Sequence, residues 1–228
     1  MKITSKSLQK LDEAFFLQFN ATKYYKKEQI IIEPGVEPAG VFYLKAGYVR
    51  LFLISKDGKE LTFNIFKPGM FFPMIWALTD SPNIYFLECL TDVQVLKAPK
   101  EKVATFLKEN PEVLFDLTKR ILSGLEGMTK LMDVLLSKNA YNQVCAVILM
   151  LARRFSSNHT DHQLTIDVPL THRLIGTLAG LSREATSREL EKLEKEKIID
   201  QSDHKIIVKD VKKLEEEFTN YASENIIF

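Results

Sequence analysis

The sequence predicts an α+β fold, and three features along the chain support this prediction. Between residues 29 and 98, short β-branched and aromatic runs are separated by glycine or proline; the glycines recur about every eleven residues, a turn spacing typical of an all-β barrel or sandwich. From Pro111 the apolar residues instead recur every three or four positions, as they do on one face of a helix. After residue 170 the order is helix, glycine turn, helix and β-hairpin.

Local signals place the shorter elements. Ser7–Phe19 and Tyr141–Phe155 carry apolar residues at helical spacing, so we predict a helix over each range, and a short one over KEKVATFLKENP, residues 100–111. The pair Asp57–Gly58 lies between two strand-like runs and is a strong signal for a tight hairpin turn. A β-hairpin whose tip includes Ser202 is predicted after the last two helices.

The predicted helix over residues 111–138 has a nearly heptad apolar stripe. At about 27 residues it would be about 40 Å long, which is more than one small β domain can cover. We therefore expect a homodimer seam, the alternative being that the stripe packs on the β domain of its own chain. The stripe consists of Leu114, Leu117, Ile121, Leu125, Met128, Met132 and Leu135.

Composition and termini favour a cytoplasmic protein that does not enter membranes. The chain has 228 residues, of which 46% are hydrophobic and 27% charged, as in soluble folded proteins. The charge-poor run over residues 68–80 contains two prolines and is well short of the ~20 apolar residues of a spanning helix. The first residues lack the apolar segment of a secretory signal.

The residues that most often carry chemistry do not form a catalytic pattern. Cys89 and Cys145 are too few for an iron–sulfur cluster or an all-cysteine zinc site, and we expect both to be buried and inert. No segment has the spacing of a nucleophile elbow, a metal site or a phosphate-binding loop. We therefore predict no enzyme activity, no catalytic residue and no metal.

The helix–turn–helix segment carries long donors where DNA recognition needs them. Such a motif lays its second helix in the major groove, with the N-terminal residues of that helix facing the bases. Ser182 is the predicted N-cap, and arginine can bond guanine while glutamate accepts from cytosine. The predicted base readers are Arg183, Glu184 and Arg188, and the predicted phosphate donors are Thr171, His172, Ser182, Thr186 and Ser187.

Over almost its full length the chain resembles the Crp–Fnr family of bacterial transcription regulators. The specific part is LTHRLIGTLAGLSREATSRELEKLEKEKIID, close to the family pattern T-x-x-x-I-G/A, a turn glycine, S/T-R-E-x-x-S/G-R and L-x-x-L. The resemblance implies base reading by Arg183, Glu184 and Arg188, a turn at Gly180, and phosphate contacts from Thr171 to Arg173. Two residues depart from the pattern: Leu174 stands where many relatives have glutamate, and Lys197 where glycine or asparagine usually ends the second helix.

The resemblance also implies a domain plan. Residues 1–110 would form an effector-sensing double-stranded β-helix, or jelly-roll (β-roll), residues 111–138 a dimerisation helix, and residues 139–228 a winged helix-turn-helix. The implied function is sequence-specific transcription regulation by a homodimer on two-fold symmetric duplex DNA, with RNA polymerase as a further partner.

The sequence argues against cyclic AMP or cyclic GMP as the effector. Relatives that bind these nucleotides hold them with Gly-Glu-Leu and Arg-Ser/Thr, at positions matching Pro73–Ile75 and about Asn83–Ile84 here. No Lys, Arg or His lies between Lys67 and Lys97, and a buried phosphate without a cation is costly. All four histidines lie at 159 or later, which also disfavours haem in the β-roll, so no cofactor is predicted.

The aromatic run FFPMIWALTDSPNIYF has two interpretations. It could line a pocket for a small apolar effector, or its rings could be core in a regulator that needs no effector. A haem- or redox-sensing regulator of the same family is a further alternative. The predicted pocket residues are Phe71, Phe72, Met74, Trp76 and Tyr85.

Overall fold

The structure is a computed structural model that describes residues 5–136, 139–156, 163–202 and 205–217. The chain divides into two compact units, residues 1–126 and 127–228. Strands dominate the first and helices the second, which confirms the α+β prediction. The rest of the predicted hairpin tip, Asp203 and His204, lies outside the described residues. No helix in the described ranges is long and apolar enough to cross a membrane.

The strands of the first unit form a jelly-roll, as the double-stranded β-helix prediction required. Two four-stranded antiparallel sheets have the orders β1-β8-β3-β6 and β2-β7-β4-β5. The predicted turn at Asp57–Gly58 joins β4 to β5. The strands are β1 Thr22–Tyr25, β2 Ile30–Ile32, β3 Val41–Ala46, β4 Val49–Ile54, β5 Glu60–Phe66, β6 Phe71–Phe72, β7 Phe86–Cys89 and β8 Val93–Ala98.

Four helices begin in the described part of the first unit. They are α1 Ser5–Leu17, α2 Met74–Thr79, α3 Lys100–Glu109 and α4 Pro111–Leu136, the last of which continues past residue 126. Helix α2 was not predicted: it follows the cis Phe72–Pro73 bond, has no side-chain cap, and ends at Asp80 in the left-handed conformation. At six residues it is too short for a helical period to stand out in the sequence.

Alternate residues of β3, β6 and β8 enter two separate apolar cores. Phe42 and Phe72 lie in the core between the two sheets, whereas Tyr43 and Phe71 lie in a second core against the helices. In that second core Phe15 of α1 stacks on Phe106 of α3, with ring centroids 4.1 Å apart. The period of two in a β-strand explains why neighbouring aromatic residues separate in this way.

Arg50 of β4 is the centre of a buried ion-pair cluster. Its side chain is 9% exposed; Nη1 donates to Glu60 Oε2 at 2.9 Å and Nε donates to Glu88 Oε2 at 3.0 Å. Its guanidinium also lies 4.0 Å from the ring centroid of Phe52. Two carboxylates therefore already neutralise this buried cation.

Asp12 of α1 is a buried carboxylate that is incompletely paired. Among the described residues neither of its oxygens has a hydrogen-bond partner, and Oδ2 is 3.7 Å from Arg120 Nη2 of α4. Arg120 pairs more closely with Asp116, at 3.0 Å from Nε, and donates from Nη1 to Gly69 O at 3.1 Å. Burial raises the pKa of Asp12 to about 6, although the charge of Arg120 opposes the rise.

The second unit packs its helices around α5 Ala140–Phe155, whose Val144, Val147 and Ile148 are fully buried. The other elements are α6 His172–Ala179, α7 Arg183–Lys195, a helix over residues 211–217, and the antiparallel sheet β10-β11-β9 with β9 Leu164–Thr165, β10 Ile199–Ser202 and β11 Lys205–Val208. The hairpin β10–β11 confirms the predicted wing. Strand β9 was not predicted, because it has only two residues and follows a polar stretch of sequence.

Replacing Asp12 by asparagine should remove a pH-dependent loss of stability. The folded protein holds the Asp12 proton more tightly than the unfolded chain, so wild-type stability should fall as pH rises from about 4 through about 6. Asp12→Asn should therefore be roughly 1–3 kcal/mol more stable than wild type at pH 7.5 and nearly equal to it at pH 4. Urea unfolding at both pH values measures the difference.

The matched control is Glu13→Gln, which changes the neighbouring residue of the same helix, itself in a partly exposed pair with Lys45. It should alter stability by at most about 1 kcal/mol, as partly exposed ion pairs usually do. A difference between Asp12→Asn and wild type that is the same at both pH values would contradict the assignment.

Candidate nucleic-acid interface

Helix α6 begins at a side-chain N-cap and ends at a glycine C-cap. The Oγ1 of Thr171 accepts a hydrogen bond from Leu174 N at 3.1 Å and so caps the helix start. Gly180 ends the helix with φ at +68°, a left-handed conformation that costs glycine little, and Leu181 N donates to Gly176 O at 2.9 Å. The predicted glycine turn is thereby confirmed.

Helix α7 begins at the predicted cap. The Oγ of Ser182 accepts from Ala185 N at 3.1 Å, which satisfies one of the free N–H groups at the helix start. Glu184 lies in this first turn, and hydrogen bonds with its own backbone N–H and with Ser182 lower the pKa of its carboxyl. The residue is therefore an anion and can only accept hydrogen bonds.

A close approach at Gly176 fixes α6 against α7. A Cβ on Gly176 would lie 2.8 Å from Leu181 O and 2.9 Å from Thr186 Oγ1, so any larger residue would push the two helices apart. Thr186 is fully buried at this contact, and farther along α7 Leu190 and Leu193 are buried too. This buried face determines which residues of α7 point to solvent.

The exposed residues at the start of α7 include the three predicted base readers. Arg183, Glu184 and Arg188 are all exposed. Neither guanidinium forms a hydrogen bond or an ion pair with another residue of the described ranges. Two unpaired arginines and one ionised glutamate thus lie on the solvent side of a helix whose other side is packed.

The prediction that Thr186 contacts phosphate is wrong. Its side chain is 0% exposed and its Oγ1 donates to Ser182 O at 2.8 Å, so it serves the helix contact. Ser187 is half-buried, and its Oγ donates to Arg183 O at 2.9 Å. Hydroxyls at these positions return to their own helix because the carbonyl four residues earlier is within reach.

His172 also points its polar atoms into the protein. Its Nδ1 is 2.7 Å from Ser187 Oγ and its Nε2 is 2.8 Å from Gln201 Oε1. Gln201 belongs to β10 and was missed, since nothing in the sequence relates positions 29 residues apart. Thr171, Arg173 and Ser182 are exposed beside this cluster.

Lys197, one of the two departures from the family pattern, occupies a strained position. Its φ is +59°, and Ile198 N donates to Leu193 O at 3.0 Å, so a left-handed residue follows shortly after the end of α7 at Lys195. This conformation costs a non-glycine residue roughly 1–2 kcal/mol. Leu174, the other departure, is buried in the helix pair.

The pocket predicted from the aromatic run is not formed. Phe71 and Phe72 are buried in different cores, and Met74 packs against the core that contains Phe71. The ring of Tyr85 meets that of Phe63 edge-on, with the ring centroids 6.1 Å apart. The strand period separates the two phenylalanines, so they cannot line one cavity.

Trp76, the remaining predicted pocket residue, lines a different cleft of about 340 Å³. Lys100 reaches across this cleft, with Nζ 2.6 Å from Asp80 Oδ1 and 4.8 Å from the Trp76 ring. Glu37 is a further acidic residue of the lining. The cleft combines one indole ring with a cation that is already paired.

Asn83 lies about where the resemblance put the arginine of nucleotide-binding relatives, and its side-chain amide is bonded within the protein. Its Nδ2 donates to Glu33 O at 2.9 Å and to Tyr85 O at 2.7 Å, while its own backbone carbonyl accepts from Gly35 N at 2.8 Å. The residue fastens two loops together. Both of its side-chain N–H donors are therefore unavailable to a ligand.

The α4 stripe is divided between two environments. Leu117 is 6% exposed and lies in the core of its own chain, so its assignment to a dimer seam is wrong. Most of the stripe is open. Its exposed residues are Leu114, Ile121, Leu125, Met128 and Met132, with the adjacent Phe115, Leu122 and Leu136, and Leu135 is half-buried.

Both cysteines are buried, and their thiols are protonated at neutral pH. Burial raises the pKa of the Cys89 thiol and of the Cys145 thiol to about 12 in each case, far from the thiolate that redox chemistry needs. Within the ranges that the structure describes, His, Cys, Asp and Glu form no group of three that could hold a metal.

Two family models match the chain, one on each side of α4. The cyclic nucleotide-binding domain matches residues 22–110 and the Crp-like helix-turn-helix domain matches residues 142–217. A global nitrogen regulator of Nostoc sp. is 28% identical over 197 residues, which cover 86% of this chain and 88% of that protein.

Solved structures share the fold. A transcriptional regulator of the CRP/FNR family from Thermus thermophilus is 26% identical with a TM-score of 0.68, and the match covers 87% of this chain and 98% of that one. A CooA mutant from Carboxydothermus hydrogenoformans has a TM-score of 0.72 at 21% identity, over 86% of this chain and 87% of that one.

The structure and the comparisons indicate the same family. The structural features are the jelly-roll, the capped helix pair with its exposed arginines and the wing, and both family models match. The chain therefore belongs to the Crp–Fnr family and is a DNA-binding transcription regulator with a Crp-like helix-turn-helix domain.

Proposed function

We propose that the protein works in the cytoplasm as a homodimer on a two-fold symmetric duplex site, each copy placing the start of α7 in a major groove. The observation that carries this proposal is that Arg183 and Arg188 are exposed on α7 and unpaired within the described ranges. Two-fold symmetric dimers bind two half-sites about one helical turn apart. RNA polymerase is the further partner that family membership suggests.

The proposed contacts follow from donor chemistry. Arg183 and Arg188 bond guanine O6 and N7, and Glu184 accepts from cytosine N4. Thr171, Arg173 and Ser182, at the exposed starts of the two helices, contact phosphates and set the register. His172 and Ser187 are left out of this contact set because their polar atoms bond within the protein.

A second copy of the chain is the proposed occupant of the open part of the α4 stripe. From Leu114 to Leu136 the stripe extends about 33 Å along the helix, and its larger side chains stay exposed within one chain. Nothing in the described residues would meet a Cβ on Gly124 or Gly127, which leaves room for a second helix. An apolar seam with heptad spacing is typical of paired helices.

The β-roll is proposed to sense something other than a cyclic nucleotide. Arg50 is neutralised by Glu60 and Glu88, and the side-chain amide of Asn83 donates its hydrogen bonds to two backbone carbonyls. Lys100, which lines the cleft next to Asn83, is paired with Asp80, so a cyclic phosphate would have to break an existing ion pair to gain a cationic partner, and a buried phosphate without one is costly.

The cleft beside Trp76 is the proposed site for a small effector with an aromatic or apolar part. A regulator that needs no effector is the alternative, and mass spectrometry of the purified protein for a bound small molecule separates the two. The buried thiols argue against redox sensing by Cys89 and Cys145.

Removing either arginine should weaken specific DNA binding. Arg183→Ala and Arg188→Ala should each cost about 1–3 kcal/mol on a duplex that wild-type protein enriches from a random pool, and each should relax one base position. Fluorescence anisotropy at fixed salt measures the affinity, because salt alone changes such affinities strongly.

The matched control for these variants is Lys195→Ala, an exposed cation at the opposite end of α7. Twelve residues separate it from Arg183, about 18 Å along the helix, so it should change affinity much less than either arginine variant. Full affinity in the Arg183→Ala, Arg188→Ala double variant would contradict the interface.

A charge in the α4 stripe should break the dimer. Leu125 is 56% exposed within one chain, so Leu125→Glu should leave the monomer fold intact but bury a carboxylate in the seam, which is unfavourable without a partner. Sedimentation velocity at micromolar concentration should show a dimer for wild type and a monomer for the variant. Ser123→Glu, exposed on the other side of α4, is the control and should stay dimeric.

A monomeric wild-type protein under these conditions would overturn the homodimer proposal. A dimer that persists in Leu125→Glu would place the interface elsewhere.

Cyclic nucleotides should have no effect. A ligand present at a hundred times its dissociation constant stabilises the folded state by about 2.7 kcal/mol, which a thermal melt would register. We expect no change in melting temperature with millimolar cyclic AMP or cyclic GMP. A clear increase with either nucleotide would show that the roll binds a phosphate by some other group.

A further inference from the structure

The last turn of α4 packs against the turn between α6 and α7. A Cβ on Gly180 would lie only 3.1 Å from Cδ2 of Leu135, so the leucine side chain is in contact with this glycine. The carbonyl oxygen of Leu135 also accepts a hydrogen bond from Nε2 of the buried Gln143, at 3.3 Å. One residue of α4 thus contacts both α5 and the helix–turn–helix, and all three partners belong to the second unit.

Leu135 differs in this respect from its neighbour Leu136. Leu135 is half-buried, whereas Leu136 is 82% exposed. The spacing of the α4 stripe predicted Leu135 as a seam residue, but spacing alone does not distinguish a contact with a second copy from a contact within the chain. The glycine leaves space for the leucine, because a Cβ at position 180 would lie closer to it than ordinary van der Waals contact allows.

We infer that Leu135 is a positioning residue that fixes the recognition helices to the dimer helix and thereby determines which half-site spacing the protein accepts. In a two-fold dimer, the separation of the two α7 starts depends on the direction in which each helix pair leaves α4. Leu135 and Gly180 hold that direction, because their contact joins the last turn of α4 to the turn that precedes α7. The contact itself belongs to one chain, and only its consequence for spacing rests on the proposed homodimer.

Truncation of Leu135 should affect this attachment and leave the helix pair intact. Leu135→Ala removes the methyl groups that lie against Gly180 and keeps the backbone of α4. The close approach at Gly176 and the caps at Thr171 and Ser182 lie elsewhere in the pair. The variant should therefore loosen the helix–turn–helix on α4 without changing the residues that read bases.

The first test measures the contact without DNA. Gly180→Ala adds a Cβ to a left-handed residue, which is strained in any background, and also brings that Cβ against Leu135. Calorimetry of the full chain should show a decrease in melting temperature that is smaller when Leu135→Ala is also present. Gly180→Ala combined with Leu136→Ala is the matched control and should show the full decrease. Equal decreases in all three backgrounds would overturn the inference.

The second test measures the tolerated half-site spacing. One base pair added between the half-sites of the duplex that wild type enriches turns them by about 35° and separates them by about 3.4 Å. Wild type and Leu136→Ala should bind this duplex at least about tenfold more weakly than the original, because both half-sites can no longer be engaged together, and Leu135→Ala should lose several times less. This ratio of affinities does not depend on the folded fraction, so a loss of stability alone would not change it.

Sedimentation velocity at the same concentrations shows whether Leu135→Ala is still a dimer. A monomeric variant would assign Leu135 to the dimer seam and overturn the inference, and a spacing penalty equal to that of wild type would do the same. If wild type bound one half-site as a monomer, the homodimer proposal would fail and the spacing claim with it. The melting temperatures of the first test would still decide whether Leu135 positions the helix pair.

Discussion

The contact between α6 and α7 at Gly176 determines what the second unit can present to DNA. Because a Cβ there would lie within 3 Å of Leu181 O and Thr186 Oγ1, the helices approach as closely as their backbones allow. That approach sets the rotation of α7 about its own axis, so Leu190 and Leu193 are buried while Arg188 is exposed. The recognition surface is thus a consequence of packing on the opposite side of the same helix.

Arg50 and Asn83 of the β-roll both bond to groups of the protein itself. Arg50 is enclosed by Glu60 and Glu88, and Asn83 bonds three backbone groups. Both clusters stabilise the fold, and neither leaves a donor for an anionic ligand. The cleft beside Trp76 is lined by a paired lysine and two acidic residues.

The sequence predicted what local rules control and missed what long-range packing controls. Turn glycines, the Ser182 cap and the helix periods were readable because each depends on neighbours within about four residues. The aromatic pocket failed because adjacent strand residues such as Phe71 and Phe72 face opposite cores. The pairing of His172 with Gln201 joins residues on separate elements, and a single sequence carries no signal for it.

In the proposed function, two copies of the chain place the start of α7 on one duplex. The measurement that decides this is sequencing of the duplexes that the purified protein enriches from a random pool. We expect an inverted repeat whose half-sites are centred about one helical turn, roughly 34–36 Å, apart, with guanine in each half. Enrichment of a single asymmetric site, of a direct repeat or of no sequence at all would contradict it.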